Sequence, residues 1–311
     1  MNAESVAESV LAAFHAGGVA NVKLNEALAL HTTWRIGGPA DVFVTPASVD
    51  ELRGALVVAR KLGLPWTVIG RGSNLLVRDG GIRGLVIKLG AQFGDIRVEE
   101  DRLIALAGRS SVSAANIAVR HHLEGLEFAT GIPGTVGGIV MMNAGAHGGQ
   151  VSDVLAYADV MDERGEVTRL DNAALRFGYR YSVLKDDPKI VIAAAFQLRP
   201  GDGEALAAKV KQWSIRRAAT QPLSLPSCGS VFRNPEGTHA GHLIESAGLK
   251  GTRRGGAQIS DKHANFIVNL GGATAEDVLW LIHHAQETVQ QRYGIELETE
   301  VRVVGEPTSG R

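Results

Sequence analysis

The sequence predicts an α+β protein of about two or three domains. Three observations carry that expectation. Helical and extended patterns alternate along the chain. The turn cluster Pro200-Gly201-Asp202-Gly203 marks a boundary. The hundred or so residues after it again mix helix and strand patterns. The 311 residues are 45% hydrophobic and 21% charged, ordinary for a globular chain. Lys plus Arg is 32 and Asp plus Glu is 33, so the net charge of −1 gives no electrostatic case for nucleic acid or a membrane surface. No apolar run approaches the roughly 20 residues that span a bilayer. The N-terminal MNAESVAESVLAAFHAGG has acids but no Lys or Arg, unlike a signal peptide. A single cysteine, Cys228, excludes an internal disulfide and suits a reducing cytoplasm.

Taken in order, residues 3–16 have helical apolar spacing that stops at Gly17-Gly18. Asp41–Thr45 reads as a strand. Ser48 can cap a helix over 49–62, and Pro65–Ile69 is a second strand. This opens a βαβ pattern that runs into GRGSNLLVRDGGIRG, residues 70–84. Short strands follow (LVIKL, DIRVE, LIALA), then a helix over 111–122. YADVMDERGEVTRL reads as a hairpin turning at Arg164-Gly165, and 190–198 as a strand. Helices are expected over 204–219 and 274–293, strands over 266–269 and 300–304, and a frayed tail at GEPTSGR.

The most informative stretch is GIPGTVGGIVMMNAGAHGG, residues 131–149, with seven of the 38 glycines and almost no charge. It reads as a poor helix interior: buried irregular backbone, whose N–H groups can form nests for an anion such as a diphosphate. A tight turn cluster inside a core is the equal alternative. The loop Gly70-Arg71-Gly72-Ser73-Asn74 invites a dinucleotide reading, but Leu75 stands where the third glycine of G-x-G-x-x-G belongs, no clear helix follows, and GK[ST] is absent. In PSCGSVFRNP, residues 226–235, prolines bracket a turn carrying Ser227, Cys228 and Ser230. It is not G-x-S-x-G, and a lone cysteine is more often a buried hydrophobe than a thiolate. Phe177-Gly178-Tyr179-Arg180-Tyr181-Ser182 sets a guanidinium between aromatic faces, for a carboxylate or phosphate or for a surface ion pair. Arg216-Arg217 can bind a phosphate or complement a helix dipole. No Cys/His cluster has metal-ligand spacing, and the four tryptophans read as packing.

TTWRIGGPAD, VIGRGSNLLVRDGGIRG, GIPGTVGGIVMMNAGAHG, YRYSVLK, PSCGSVFRNP, GHLIESAGLKG and LETEVRVVG occur in that order. The set, over about residues 30–305, closely resembles the UDP-N-acetylenolpyruvoylglucosamine reductases, the MurB family of peptidoglycan synthesis. The first thirty residues carry no matching motif. The resemblance implies the two-subdomain FAD-binding fold of the vanillyl-alcohol-oxidase (PCMH) type plus a C-terminal α+β substrate-binding domain. Residues 1–70 and 71–201 would form the FAD subdomains and 202–311 the substrate domain.

The resemblance further implies noncovalent FAD, with NADPH as reductant and UDP-N-acetylglucosamine enolpyruvate as substrate. Hydride would pass from flavin N5 to C3 and a proton from Ser230 to C2. Arg180 and Glu300 would stabilise the developing enolate. Gly70, Arg71, Gly72, Ser73, Asn74, Leu75, Gly131, Pro133, Gly134, Gly137, Gly138, Asn143, Ala144 and Gly145 would hold FAD. Arg217, Asn234 and Tyr179 would meet the substrate, Arg217 and Asn234 as candidates for its UDP diphosphate or for NADPH. No metal is implied, and a cytoplasmic monomer is expected. The spacing of about fifty residues between Arg180 and Ser230 marks the shorter form of the family, without an inserted substrate-capping loop. Two other readings stay open: a flavin oxidase or dehydrogenase of the same fold acting on a sugar or hydroxy acid, and a catalytically silent nucleotide-sugar binder.

Overall fold

A computed structural model describes residues 3–308. The helices are α1 (Ala3–Ala16), α2 (Val49–Lys61), α3 (Ser111–Arg120), α4 (Val136–Met141), α5 (Gly203–Thr220), α6 (Ala240–Ser246) and α7 (Ala275–Tyr293). The strands of three residues or more are β1 (Val22–Ala27), β2 (Pro39–Val44), β3 (Trp66–Ile69), β4 (Leu75–Val77), β5 (Ile82–Lys88), β6 (Ile96–Glu99), β7 (Arg102–Leu106), β8 (Leu155–Met161), β9 (Val167–Asp171), β10 (Ile190–Gln197), β11 (Ala257–Ile259), β12 (Ile267–Asn269) and β13 (Arg302–Val304).

Packing divides the chain into two compact units, each assembled from separated segments. Unit 1 is residues 1–24, 42–71 and 84–214; unit 2 is residues 25–41, 72–83 and 215–311. The sheet holding β3 continues through β5, to Lys88, in the order β1-β2-β5-β3. β3 and β5 pair in parallel from Trp66↔Leu85 to Ile69↔Lys88.

In unit 1, α2 forms because Ser48 accepts from the Glu51 N–H, acids fill its first turn and Arg60 and Lys61 its last. Its Leu52, Ala55, Leu56 and Ala59 are buried at helical spacing. A five-stranded antiparallel sheet has the order β9-β8-β10-β7-β6. Its central strand β10, IVIAAAFQ, is buried at every residue but the last, so it reads as a continuous apolar run. The β8–β9 hairpin turns at Gly165, at φ 83°, where the sequence places it.

The stretch 131–149 departs from the expectation of wholly irregular backbone. It includes α4, which is capped by the Thr135 hydroxyl accepting from Gly138 N–H. Val136, Ile139 and Val140 bury one face of it. Gly137 is tolerated there because a Cβ would lie 3.0 Å from the Ala107 Cβ: close packing outweighs low helix propensity.

In unit 2 the core is Trp34, Leu76, Phe232 and Ile244 with the inner face of α7, Val278, Leu281, Ile282, Ala285 and Val289. Thr274 and Asp277 form a capping box for α7, and the Asp79 carboxylate accepts from the Ala275 and Glu276 N–H groups at 2.8 and 3.2 Å. β4 pairs with β13 in parallel, Arg302↔Leu75 to Val304↔Val77. The expected fraying is not seen at Gly305 and Glu306, because Glu306 exchanges backbone hydrogen bonds with Gly80 and Gly81. Ser309–Arg311 of that tail lie outside the described residues.

Candidate active site

Two glycine loops of unit 1 lie against each other. A Cβ on Gly70 would stand 2.4 Å from Thr135 Oγ1, so only glycine allows this approach. The 131–138 segment is tied to the loop before α3: Ser111 Oγ donates to Ile132 O at 2.7 Å and to Gly134 O at 3.0 Å. Val136 N–H donates to Arg109 O and Gly137 N–H to Ala107 O. Pro133 and Gly138 are exposed, and a Cβ on Gly138 meets nothing closer than Thr135 Oγ1 at 3.5 Å. Packing therefore demands glycine at 70 and is tight at 137, but not at 138, where the missing side chain leaves open surface. Gly131, Ala144 and Gly145 are half-buried, and Gly134 is buried.

The Arg180 segment is a tight hairpin. Gly178 and Tyr181 exchange backbone hydrogen bonds at 3.0 and 3.2 Å, leaving Tyr179 and Arg180 as the turn, with Arg180 at φ 55°. The Arg180 guanidinium donates to Gly145 O at 3.0 Å and lies 4.9 Å from the Tyr179 ring centroid. Tyr181 does not form a second face for it in this way: its hydroxyl donates to Asp186 at 2.5 Å. Asn143, expected to touch cofactor, is 1% exposed. Its side-chain amide donates to Gly178 O and Gln150 Oε1 and accepts from Ser152 N–H.

In unit 2, the Glu300 N–H donates to Val231 O at 2.8 Å, and Phe232 bridges Thr299. Ser230 thus stands one residue from the point where the 226–235 loop meets Glu300. Both residues are half-buried. The first glycine loop joins them: Asn74 Nδ2 donates to Glu300 O at 3.1 Å, and Arg302 N–H donates to Asn74 O at 3.0 Å. Gly72, at φ 66°, packs where a Cβ would lie 2.5 Å from His31 O. Ser73 and Leu75 are half-buried, and Arg71 in unit 1 is exposed.

Burial pushes the Cys228 thiol well above its ordinary range, and the Glu300 charge adds to the shift. A thiolate nucleophile at Cys228 is thereby disfavoured. Arg217 is half-buried and donates to Gln221 at 3.1 Å, and burial lowers its pKa. Among the described residues no carboxylate lies within ion-pair distance of it. Asn234 is exposed and accepts from the Ala240 N–H at 3.2 Å.

Some supporting residues went unread in the sequence. Asn265, 4% exposed, clamps both backbone groups of Phe232, and its carbonyl accepts from Val231 N–H. The tryptophans are not all packing residues: Trp34 is buried, but Trp280 is 41% exposed and stacks on His284, and Trp213 stacks on His147. Among the described residues no helix is long and apolar enough to cross a membrane.

Comparison with known proteins gives one answer. Residues 40–171 match the FAD binding domain, and residues 221–304 match the UDP-N-acetylenolpyruvoylglucosamine reductase C-terminal domain. Both glycine loops fall in the first match; Ser230, Asn234 and Glu300 fall in the second. The UDP-N-acetylenolpyruvoylglucosamine reductase of Levilactobacillus brevis is 50% identical, over 92% of this chain and 94% of its own. That of Bacillus subtilis is 49% identical, over 92% and 95%. The solved reductase from Thermus caldophilus superposes with a TM-score of 0.77 at 37% identity, covering 91% of this chain and 98% of that one. The FAD-binding fold is the expected one, and the chain belongs to the UDP-N-acetylenolpyruvoylglucosamine reductase family of peptidoglycan synthesis.

Proposed function

We propose that this chain reduces UDP-N-acetylglucosamine enolpyruvate to UDP-N-acetylmuramate with NADPH, as a cytoplasmic monomer. The observation that carries the reading is the backbone pairing of Val231 with Glu300, which joins Ser230, Glu300 and Asn74 within one unit. Noncovalent FAD, when bound, would carry hydride from NADPH to C3 of the enolpyruvyl group. The glycine loops fit such a group. Packing forbids side chains at Gly70 and Gly72 and is tight at Gly137, while Gly138 leaves exposed backbone that a planar or anionic group can approach. Residues 1–70 and 71–201 would supply the cofactor subdomains and 202–311 the substrate domain.

Hydride addition at C3 builds negative charge at C2, shared with the substrate carboxylate as an enolate. Arg180 offers a planar, permanently charged donor fork to that carboxylate. Glu300 acts with it around the enolate. The Ser230 hydroxyl delivers the proton to C2. A serine is a weak acid, but an enolate carbon is a strong base, and alignment decides the transfer. Arg217, whose charge has no carboxylate partner among the described residues, would meet the diphosphate, with Asn234 and Tyr179 as further substrate contacts.

The test is Ser230→Ala in anaerobic half-reactions. Flavin reduction by NADPH should keep its rate, and flavin reoxidation by the enolpyruvyl substrate should fall by roughly 10²- to 10⁴-fold, the usual worth of a positioned proton donor. Equal slowing of both halves would overturn the role given to Ser230.

A further inference from the structure

The end of α4 and the residues just after it make three contacts with the Arg180 segment. Met141 O accepts from the Ser182 hydroxyl at 2.7 Å. The Asn143 amide donates to Gly178 O at 3.0 Å. Gly145 O accepts from the Arg180 guanidinium at 3.0 Å. Met141, Asn143 and Gly145 therefore hold the far side, the near side and the side chain of one turn. Ser182 is fully buried and Asn143 is 1% exposed. A buried amide is costly unless its hydrogen bonds are made, and this one is committed to Gly178, Gln150 and Ser152. The turn needs such a hold: Arg180 is at φ 55°, a region that a residue with a Cβ enters only at a cost in strain.

We propose that Asn143 and Ser182 are positioning residues for Arg180. They clamp Gly178–Ser182 from both ends, fix the left-handed backbone of Arg180, and so set where its guanidinium meets the substrate carboxylate. Asn143 then serves the reaction through the turn, by its side chain. The proposal rests on the role given to Arg180 above.

The test uses FAD-loaded full-length protein, photoreduced so that NADPH is not needed. Flavin reoxidation by UDP-N-acetylglucosamine enolpyruvate is followed by stopped flow. The variants are Asn143→Asp, which keeps the shape but loses the donor to Gly178 O, and Ser182→Ala, which removes one hydrogen bond and keeps the packing. Each is made alone and with Arg180→Ala. Each single variant should retain the flavin spectrum and slow reoxidation roughly 10- to 100-fold, the cost of a misplaced catalytic group. In the Arg180→Ala background neither should slow it much further, because the group it positions is gone. Equal slowing in both backgrounds would overturn the proposal. So would an Arg180→Ala variant that is slow beside Asn143→Asp and Ser182→Ala variants that are not. An Arg180→Ala variant of normal rate would instead remove the role given to Arg180. If Asn143→Asp does not fold, the Ser182→Ala pair decides alone.

Discussion

Gly70→Ala is the sharpest probe of the approach between the two glycine loops. The new Cβ would lie 2.4 Å from Thr135 Oγ1, 3.1 Å from its Cγ2 and 3.3 Å from its Cβ. The first contact is roughly 1 Å short of van der Waals separation. Thr135 is 8% exposed and caps α4, so it cannot swing away without loss. Overpacking of this kind costs about 1–3 kcal/mol, and a lost cap about 0.5–2 kcal/mol. If the loops hold FAD, a distortion of 1–3 kcal/mol weakens its binding about 5- to 150-fold. Thermal unfolding of the apoprotein and FAD titration by flavin fluorescence measure the two effects. Thr135→Ala removes Oγ1 and Cγ2, so the double variant should be more stable than the two single losses add up to, by about 1 kcal/mol. Wild-type stability and FAD affinity in Gly70→Ala, or strict additivity in the double variant, would refute the reasoning.

Two further outcomes follow from buried titratable groups. Burial raises the Glu127 pKa, but hydrogen bonds from Lys209 and the Gly125 N–H outweigh it, and the net value lies below the ordinary 4.5. A lowered carboxyl pKa stabilises the fold above the unfolded value of about 4.3, and the gain is lost as pH falls through the folded value. Glu127→Gln should therefore lower the Tm near pH 7, at a cost of about 1–3 kcal/mol, and flatten the fall in Tm on acidification below about pH 4.5, both read by calorimetry. Cys228, 6% exposed and with its thiol pKa raised, should resist iodoacetamide at pH 8 in the folded protein and react once unfolded, as mass spectrometry would show.

Local chemistry made much of the fold legible. Ser48 marked the start of α2, Arg164-Gly165 the hairpin, and amphipathic spacing over 274–293 the course of α7. α4 was hidden because two glycines lower its propensity, and its stability comes from packing on Ala107 and from the Thr135 cap. β1 passed unread, because Val22–Ala27 alternates in burial over only six residues. The tail at Glu306 was misread because its partners, Gly80 and Gly81, lie more than two hundred residues away. For the site, ordered motifs pointed to Ser230, Arg180 and Glu300. What holds them did not show, since the Val231–Glu300 pairing and the Asn143 and Asn265 clamps join segments that no periodicity connects.

The central claim is a flavin enzyme that hands reducing power from NADPH to an enolpyruvyl ether. Anaerobic absorbance of the purified, FAD-loaded protein tests it most directly. The flavin band should bleach with NADPH and return when UDP-N-acetylglucosamine enolpyruvate is added without oxygen. A band that bleaches but returns only with oxygen would contradict the account in favour of an oxidase, and a protein that takes up no FAD would remove its foundation.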